Sequence, residues 1–323
     1  MLHVRVLAPR RACDDAIAAI RADPTTANLA VVRGAALDGA GDLLLFDVAR
    51  ENANAVVEML RGLGLAESGS ISLSDPVTVL SSAADAAEAA APGHPSDGVV
   101  WDEVENTARG DARLSWSFLV FLVLATLIAG VGRYLDQPIL IIGAMVVGPE
   151  FAPLAAICIG LARRRRGLIA PASLTLFGGF LAAALIAWVA WALAYAFGVI
   201  DFTAATTGTA TEFIIKPDAW SFVIALLAGC AGVLSLTSAK SSALVGVFIS
   251  ITTVPAVGTI GLTLAVGSWD EAGASAIQLA INLAGLIIAG TLTLLVQGLV
   301  SPRHRISRPG KTLRGRPRRS RSR

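Results

Sequence analysis

The segment 138–162, PILIIGAMVVGPEFAPLAAICIGLA, constrains the chain more than any other stretch. About 20 apolar residues, each rising about 1.5 Å, cross a hydrocarbon core of about 30 Å, so this segment is long enough to span a bilayer. Yet it carries a carboxylate at its midpoint, Glu150, flanked by Pro149 and Pro153 and preceded by Gly143 and Gly148. A proline has no N–H to donate, so the carbonyls of Met145 and Pro149, four residues before the two prolines, are expected to lose their helical partners. An ionisable residue at mid-membrane costs roughly 3 kcal/mol on insertion scales and persists only where protein or a water-filled cavity satisfies it. A broken helix with such a group at its centre is the general form of a transport site. The alternative is a structural kink in which Glu150 hydrogen-bonds to a neighbouring helix.

The rest of the chain agrees with a membrane setting. Of 323 residues 54% are hydrophobic and 15% charged, which points to an integral membrane protein. Charge is segregated: residues 1–113 hold 17 acidic and 9 basic side chains, residues 114–301 hold 7 of each, and residues 302–323 hold 10 basic and no acidic ones. Residues 1–80 suit a small α/β domain, with strands at 2–8, 27–34, 42–49 and 70–75 and helices at 12–23 and 51–64. That βαββαβ order is the ferredoxin-like one. No basic n-region followed by an apolar h-region opens the chain, so the domain is expected to stay in the cytoplasm. The run SSAADAAEAAAPGHPS at 81–96 has the composition of a linker. Residues 98–113, with Val99, Val100, Trp101 and Val104 beside an acidic flank, suit an amphipathic helix at the membrane surface with Trp101 at the interface.

Hydropathy gives six membrane segments, at about 115–133, 138–162, 168–199, 220–237, 242–267 and 274–300. Arg109 and Arg113, the run Arg163, Arg164, Arg165 and Arg166, Lys240 and the basic tail all fall on one side of such a bundle, and the loop charges Arg133 with Asp136, Asp201, Glu212, Lys216 and Asp218, and Asp270 with Glu271 fall on the other. The positive-inside bias then places both termini in the cytoplasm of a multi-pass protein of the inner or plasma membrane. The four arginines face lipid headgroups in this reading. The tail, PRHRISRPGKTLRGRPRRSRSR, is expected to be disordered and to lie along an anionic leaflet. Lipid is the nearer partner for it, and nucleic acid is not expected.

An internal repeat sharpens the case. SFLVFLVLATLIAG from Ser117 resembles SFVIALLAGCAGVL from Ser221, and GAMVVGPEFAPLAAICIGLA from Gly143 resembles GVFISITTVPAVGTIGLTLA from Gly246. The units are about 115–199 and 220–300. Three segments per unit is odd, so the two must insert upside down relative to each other, which is the pattern of inverted repeats in secondary transporters. The second interruption is expected near Pro255, which frees the carbonyl of Ile251, with Thr252 and Thr253 beside it.

GAMVVGPEFAPL at 143–154, VGVFISITTVPAVG at 245–258 and GSISL at 69–73 resemble the family of bacterial and archaeal membrane proteins called domain of unknown function 389. The resemblance implies a ferredoxin-like cytoplasmic domain, a multi-helix membrane domain and a transport role, and it brings no substrate or catalytic residue. Members of this kind commonly have a second proline where this chain has Ala256.

Three functions compete. The first is a secondary transporter or channel-like carrier of a small solute or ion, in which Glu150 binds a proton, a cation or a cationic group and protonation couples to transport. A membrane enzyme needs a nucleophile, base or metal cluster, but the histidines are His3, His94 and His304 and the cysteines Cys13, Cys158 and Cys230, scattered along the chain. No catalytic residue, metal or cofactor is expected. The third is an oligomeric scaffold or sensor whose soluble domain binds a ligand or mediates assembly. Small residues such as Gly130, Gly132, Gly178, Gly179, Gly285 and Gly290 suit close helix contacts, including those of a cyclic homo-oligomer.

Overall fold

The computed structural model describes residues 1–36, 41–76, 78–93, 98–215, 219–237 and 252–300. They fall into two compact units, within Met1–Val100 and within Trp101–Ser301.

In the first unit, β1 (Leu2–Pro9) buries Leu2, Val4, Val6 and Ala8 on one face, the period-two signature of a half-buried strand. Helix α1 (Arg10–Ala22) lays Cys13, Ala16 and Ile20 on that face. Strands β2 (Thr26–Val32) and β3 (Gly41–Val48), helices α2 (Ala53–Gly62) and α3 (Leu65–Ser68) and strand β4 (Ser70–Ser74) complete the layer pair. The sheet order is β2-β3-β1-β4, and every neighbouring pair is antiparallel. Leu44, Phe46, Val56, Leu60 and Val100 close one core.

The expected linker departs from its composition. Residues Ser82–Ala90 form helix α4, capped by the Ser81 hydroxyl, which accepts from the Ala84 N–H at 3.3 Å. Ala84 and Ala87 are buried, the helix packs on β2 and β3, and the Met1 ammonium pairs with Glu88 at 3.0 Å. Alanine is the strongest helix former, and its small side chain lets a helix lie close to a sheet, so a polar, alanine-rich run can dock where it cannot build a core.

The second unit begins with α5 (Trp101–Asp111), which packs on the later helix α8. Trp101 is buried, with the Arg163 guanidinium 4.9 Å from its ring centroid, so it is not the exposed interfacial aromatic expected from sequence. Then come α6 (Trp116–Tyr134), α7 (Pro138–Val147), α8 (Phe151–Ala162), α9 (Arg166–Ala196), the short α10 (Phe202–Thr206), α11 (Ala219–Thr237), α12 (Thr253–Val266) and α13 (Trp269–Val300). Four of these, α6, α9, α11 and α13, are long and apolar enough to cross a membrane, and α7 with α8 makes a fifth span if the bent pair is counted as one. This is the make-up of a multi-pass membrane protein. The segment 138–162 is two half-helices bent by 58°. Of the segment expected at 242–267, only α12 lies among the described residues; its 14 residues reach about 21 Å, short of a bilayer. Helix α12 lies against α6, α7, α9 and α13, while α8 lies against α9 and α13. The close approach of α12 to α6 needs Gly258, where a Cβ would stand 2.6 Å from the Thr126 carbonyl oxygen. Trp116, Trp220 and Trp269 are exposed at helix ends, as suits residues of an interfacial belt.

Candidate functional site

The break in 138–162 follows from two adjacent residues. Pro149 disfavours helical geometry in the residue before it, and Gly148 accordingly leaves the helix with φ −65° and ψ 129°. Helix α7 ends at Val147, and Glu150 sits at the cap of α8. Pro153 is the third residue of α8 and Pro255 the third of α12. First-turn N–H groups have no intrahelical acceptor, so both prolines are accommodated as helix starters and neither is the breaker expected from sequence.

Glu150 is 4% exposed. Its Oε1 accepts a hydrogen bond from the Thr253 hydroxyl at 2.8 Å, and its buried Oε2 has no hydrogen-bond partner among the described residues. Thr253 is fully buried at the first position of α12. Beside it the Thr252 hydroxyl accepts from the Asn282 side-chain amide of α13 at 2.6 Å. The α7–α8 break, the start of α12 and the middle of α13 therefore meet at one carboxylate. The N-termini of α8 and α12 both lie there, and their unpaired N–H groups and positive dipole ends favour negative charge. Gly148 makes room: a Cβ there would collide with Glu150 Oε2 and stand 2.8 Å from Val254 Cγ2. An unpaired buried oxygen costs about 1–3 kcal/mol unless water or a ligand donates to it. This arrangement can hold a proton, a hydrated or bare cation, or a donor group of a small solute.

The other expected site residues divide. Met145 is buried in an apolar cluster with Ile141, Ile214 and Ala256, where it serves packing. Gly143 is exposed, with open space where a Cβ would stand, and is not part of the site. Ile251, Lys240 and the basic tail lie outside the described residues. Arg163, Arg164, Arg165 and Arg166 are all exposed at the end of α8, but Arg163 and Arg165 each approach Glu105 of α5 at 3.4 Å. Two of the four thus serve an intramolecular contact that the lipid-facing reading left out.

Two features were missed. Arg133, which sequence presents as a loop charge, is completely buried. It donates to the Gly208 carbonyl at 2.8 Å, the Thr211 hydroxyl at 2.9 Å and the Thr206 carbonyl at 3.3 Å, and pairs with Glu271 at 3.7 Å. Asp136 holds the same loop from its other side, accepting from the Ala210 N–H at 3.0 Å and from the Thr211 N–H and hydroxyl at 2.9 and 2.8 Å. These donors, the Ala210 N–H first, keep its carboxyl below the ordinary aspartate range. The second feature is a polar stripe on α13. Glu271, Ser275, Gln278 and Asn282 recur at i, i+4, i+7 and i+11, which is one helix face. Ser275, Gln278 and Asn282 are 0, 1 and 4% exposed. Ser275 Oγ and Gln278 Oε1 have no hydrogen-bond partner among the described residues. The spacing of polar residues within an apolar helix was the signal that could have found it. Among the described residues no group of three or more His, Cys, Asp or Glu could hold a metal ion.

Residues 145–288 match the family described as "Domain of unknown function (DUF389)". The chain is also 28% identical over 195 residues to an uncharacterized protein of Methanocaldococcus jannaschii. That match covers 59% of this chain and 58% of the relative, so the chain spans less than two thirds of that protein's length.

Proposed function

Since the chain belongs to the domain of unknown function 389 family through residues 145–288, and that description assigns no activity, function must come from the site, and we propose a secondary transporter or channel-like carrier of a small solute or ion with Glu150 at its centre. The observation that carries this reading is the Glu150–Thr253 hydrogen bond, which joins the α7–α8 break to the start of α12 at a buried carboxylate whose second oxygen has no partner among the described residues. Alignment of the two sequence repeats puts Glu150 and Thr253 at equivalent positions. The element lengths also repeat, with 19-residue α6 and α11, 31-residue α9 and 32-residue α13; α7 and α8 stand between the first pair and, among the described residues, α12 between the second. Both support two inverted three-segment units, so the residues in contact are ones that the internal two-fold relation would bring to a common centre. A ferredoxin-like reading of the first unit is supported by its antiparallel β2-β3-β1-β4 sheet. Positive-inside bias supports cytoplasmic termini. Of the small residues named from sequence, Gly130, Gly132, Gly179, Gly285 and Gly290 approach side chains of this same chain, which leaves Gly178 as the one open to a contact in a cyclic homo-oligomer.

The test is the thermal stability of purified protein in detergent, across pH and a panel of ions and small solutes, for wild type and Glu150→Gln side by side. A ligand at a hundredfold excess over Kd stabilises the folded state by about 2.7 kcal/mol. The transporter reading expects at least one ligand to raise the wild-type Tm and the variant to lose that response. A variant that is only weaker, with neither protein responding to anything, favours the second reading, a scaffold or sensor in which Glu150 is a structural hydrogen-bonder.

A further inference from the structure

Between the Glu150 site and the Arg133–Glu271 pair, every step is a contact or one helical turn. Glu150 meets Thr253, and the neighbouring Thr252 meets Asn282. Asn282, Gln278, Ser275 and Glu271 then follow one another down one face of α13, about 16 Å in all. At the far end Glu271 pairs with Arg133 and its side chain is 20% exposed. Ser275, Gln278 and Asn282 are buried, yet Ser275 Oγ, Gln278 Oε1 and Glu150 Oε2 have no hydrogen-bond partner among the described residues. Two such nearly fully buried polar groups on α13, leading to a third on the ionisable centre itself, are not needed to pack a helix, since alanine or leucine would pack without loss of a hydrogen bond. Groups of this kind are the ones that buried water satisfies in proteins.

We propose that the Glu271–Ser275–Gln278–Asn282 face of α13 is a wetted proton path that connects the Arg133–Glu271 end of the membrane unit to Glu150. It rests on the reading of Glu150 as the transport centre and names the proton as the coupling ion. A proton enters as hydronium at Glu271, passes along waters held by Ser275, Gln278 and Asn282, and is taken up on Glu150 Oε2, the oxygen that Thr253 leaves free. The reverse step returns it to water, so charge and atoms balance without another reactant. The titratable or charged groups on the elements around the path are few. Helices α7 and α12 carry none, α8 carries Cys158, α11, which packs on α13, carries Cys230, α13 carries Asp270 and Glu271, the turn at Glu212–Ile214 that lies against α12 carries Glu212, and α6 carries Arg133 and Tyr134 at its end, with Asp136 shortly after. Helix α9 carries Arg166 and Tyr195, each near one of its ends.

The experiment places single cysteines on α13 of the full chain, in a Cys230→Ala background in proteoliposomes, Cys13 and Cys158 being buried. A membrane-impermeant cationic thiosulfonate needs water to reach and ionise a thiol. Ser275→Cys and Gln278→Cys should label at least tenfold faster than Ile277→Cys, which stands 56% exposed on the outer apolar face of the same helix. Equal or absent labelling at Ser275→Cys and Gln278→Cys overturns the path. Should both variants misassemble, wild-type protein decides through hydroxyl-radical footprinting. Leu279, the residue after Gln278, packs on the apolar cluster that contains Met145, so oxidation at either supports a wetted stripe, while full protection of both overturns it. The path and the transport reading fail separately. Labelled cysteines with an unchanged ligand response in Glu150→Gln retain the path and sink the transporter, and unlabelled cysteines with a lost response do the reverse.

Discussion

At the scale of single residues, the site depends on how closely Gly148 lets the backbone approach the Glu150 carboxylate. A methyl group at Gly148 would strike Oε2 and press on Val254. Gly148→Ala should therefore lower stability by about 1–3 kcal/mol, the usual cost of overpacking, and read out as a lower Tm in detergent. The same change at Gly143, where a Cβ meets nothing, should leave Tm unchanged or raised, since alanine is the better helix former. Equal effects at the two positions would contradict the placement of the carboxylate. Sequence gave Gly143 and Gly148 the same weight because both precede Glu150 in an apolar run. Only the side toward which each faces separates them, and that is fixed by the bend at Pro149.

At the scale of elements, the break in 138–162 was legible because the effect of Pro149 on its neighbour is local, and Glu150, Thr252 and Thr253 were picked out beside prolines. Their partners were not, because Asn282 comes 30 residues after Thr252, and its hydrogen bond depends on how α12 packs against α13. Arg133 misled for the same reason. A charge at a helix end looks like an orientation signal until a distant segment, 206–211, folds over it. That segment should depend on Arg133 strongly. Arg133→Met removes three hydrogen bonds and leaves Glu271 without its cation, a loss on the order of 3 kcal/mol for a buried pair. Amide exchange across 202–214 should then rise by at least tenfold. Arg133→Lys should not restore protection, because a single ammonium lacks the planar fork that reaches both Gly208 and Thr206. Unchanged exchange in Arg133→Met would show that the segment is held by Asp136 alone.

At the scale of the whole molecule, the two compact units should respond differently to acid. In the first, Asp42 accepts from the Gly34 N–H at 2.9 Å and from Arg33, and these hold its carboxyl below the ordinary range. Its folded pKa is depressed, so its contribution is complete above the ordinary carboxylate range and is lost as pH falls through that range toward the folded value. Calorimetry of the full chain should show the transition of the N-terminal unit moving down in temperature with acid, and Asp42→Asn should flatten that slope. A slope unaltered in the variant would assign the acid sensitivity to other carboxylates. The central claim concerns the other unit, that the meeting of the α7–α8 break and the start of α12 at Glu150 and Thr253 is where a solute or ion is bound and moved. The most direct measurement is the internal pH of dye-loaded proteoliposomes after an external acid step, with the ligand that most stabilises the wild type present outside. Wild type should acidify the lumen several-fold faster than protein-free vesicles, and Glu150→Gln, reconstituted at the same density, should not. Equal rates in wild type, variant and empty vesicles would contradict the account.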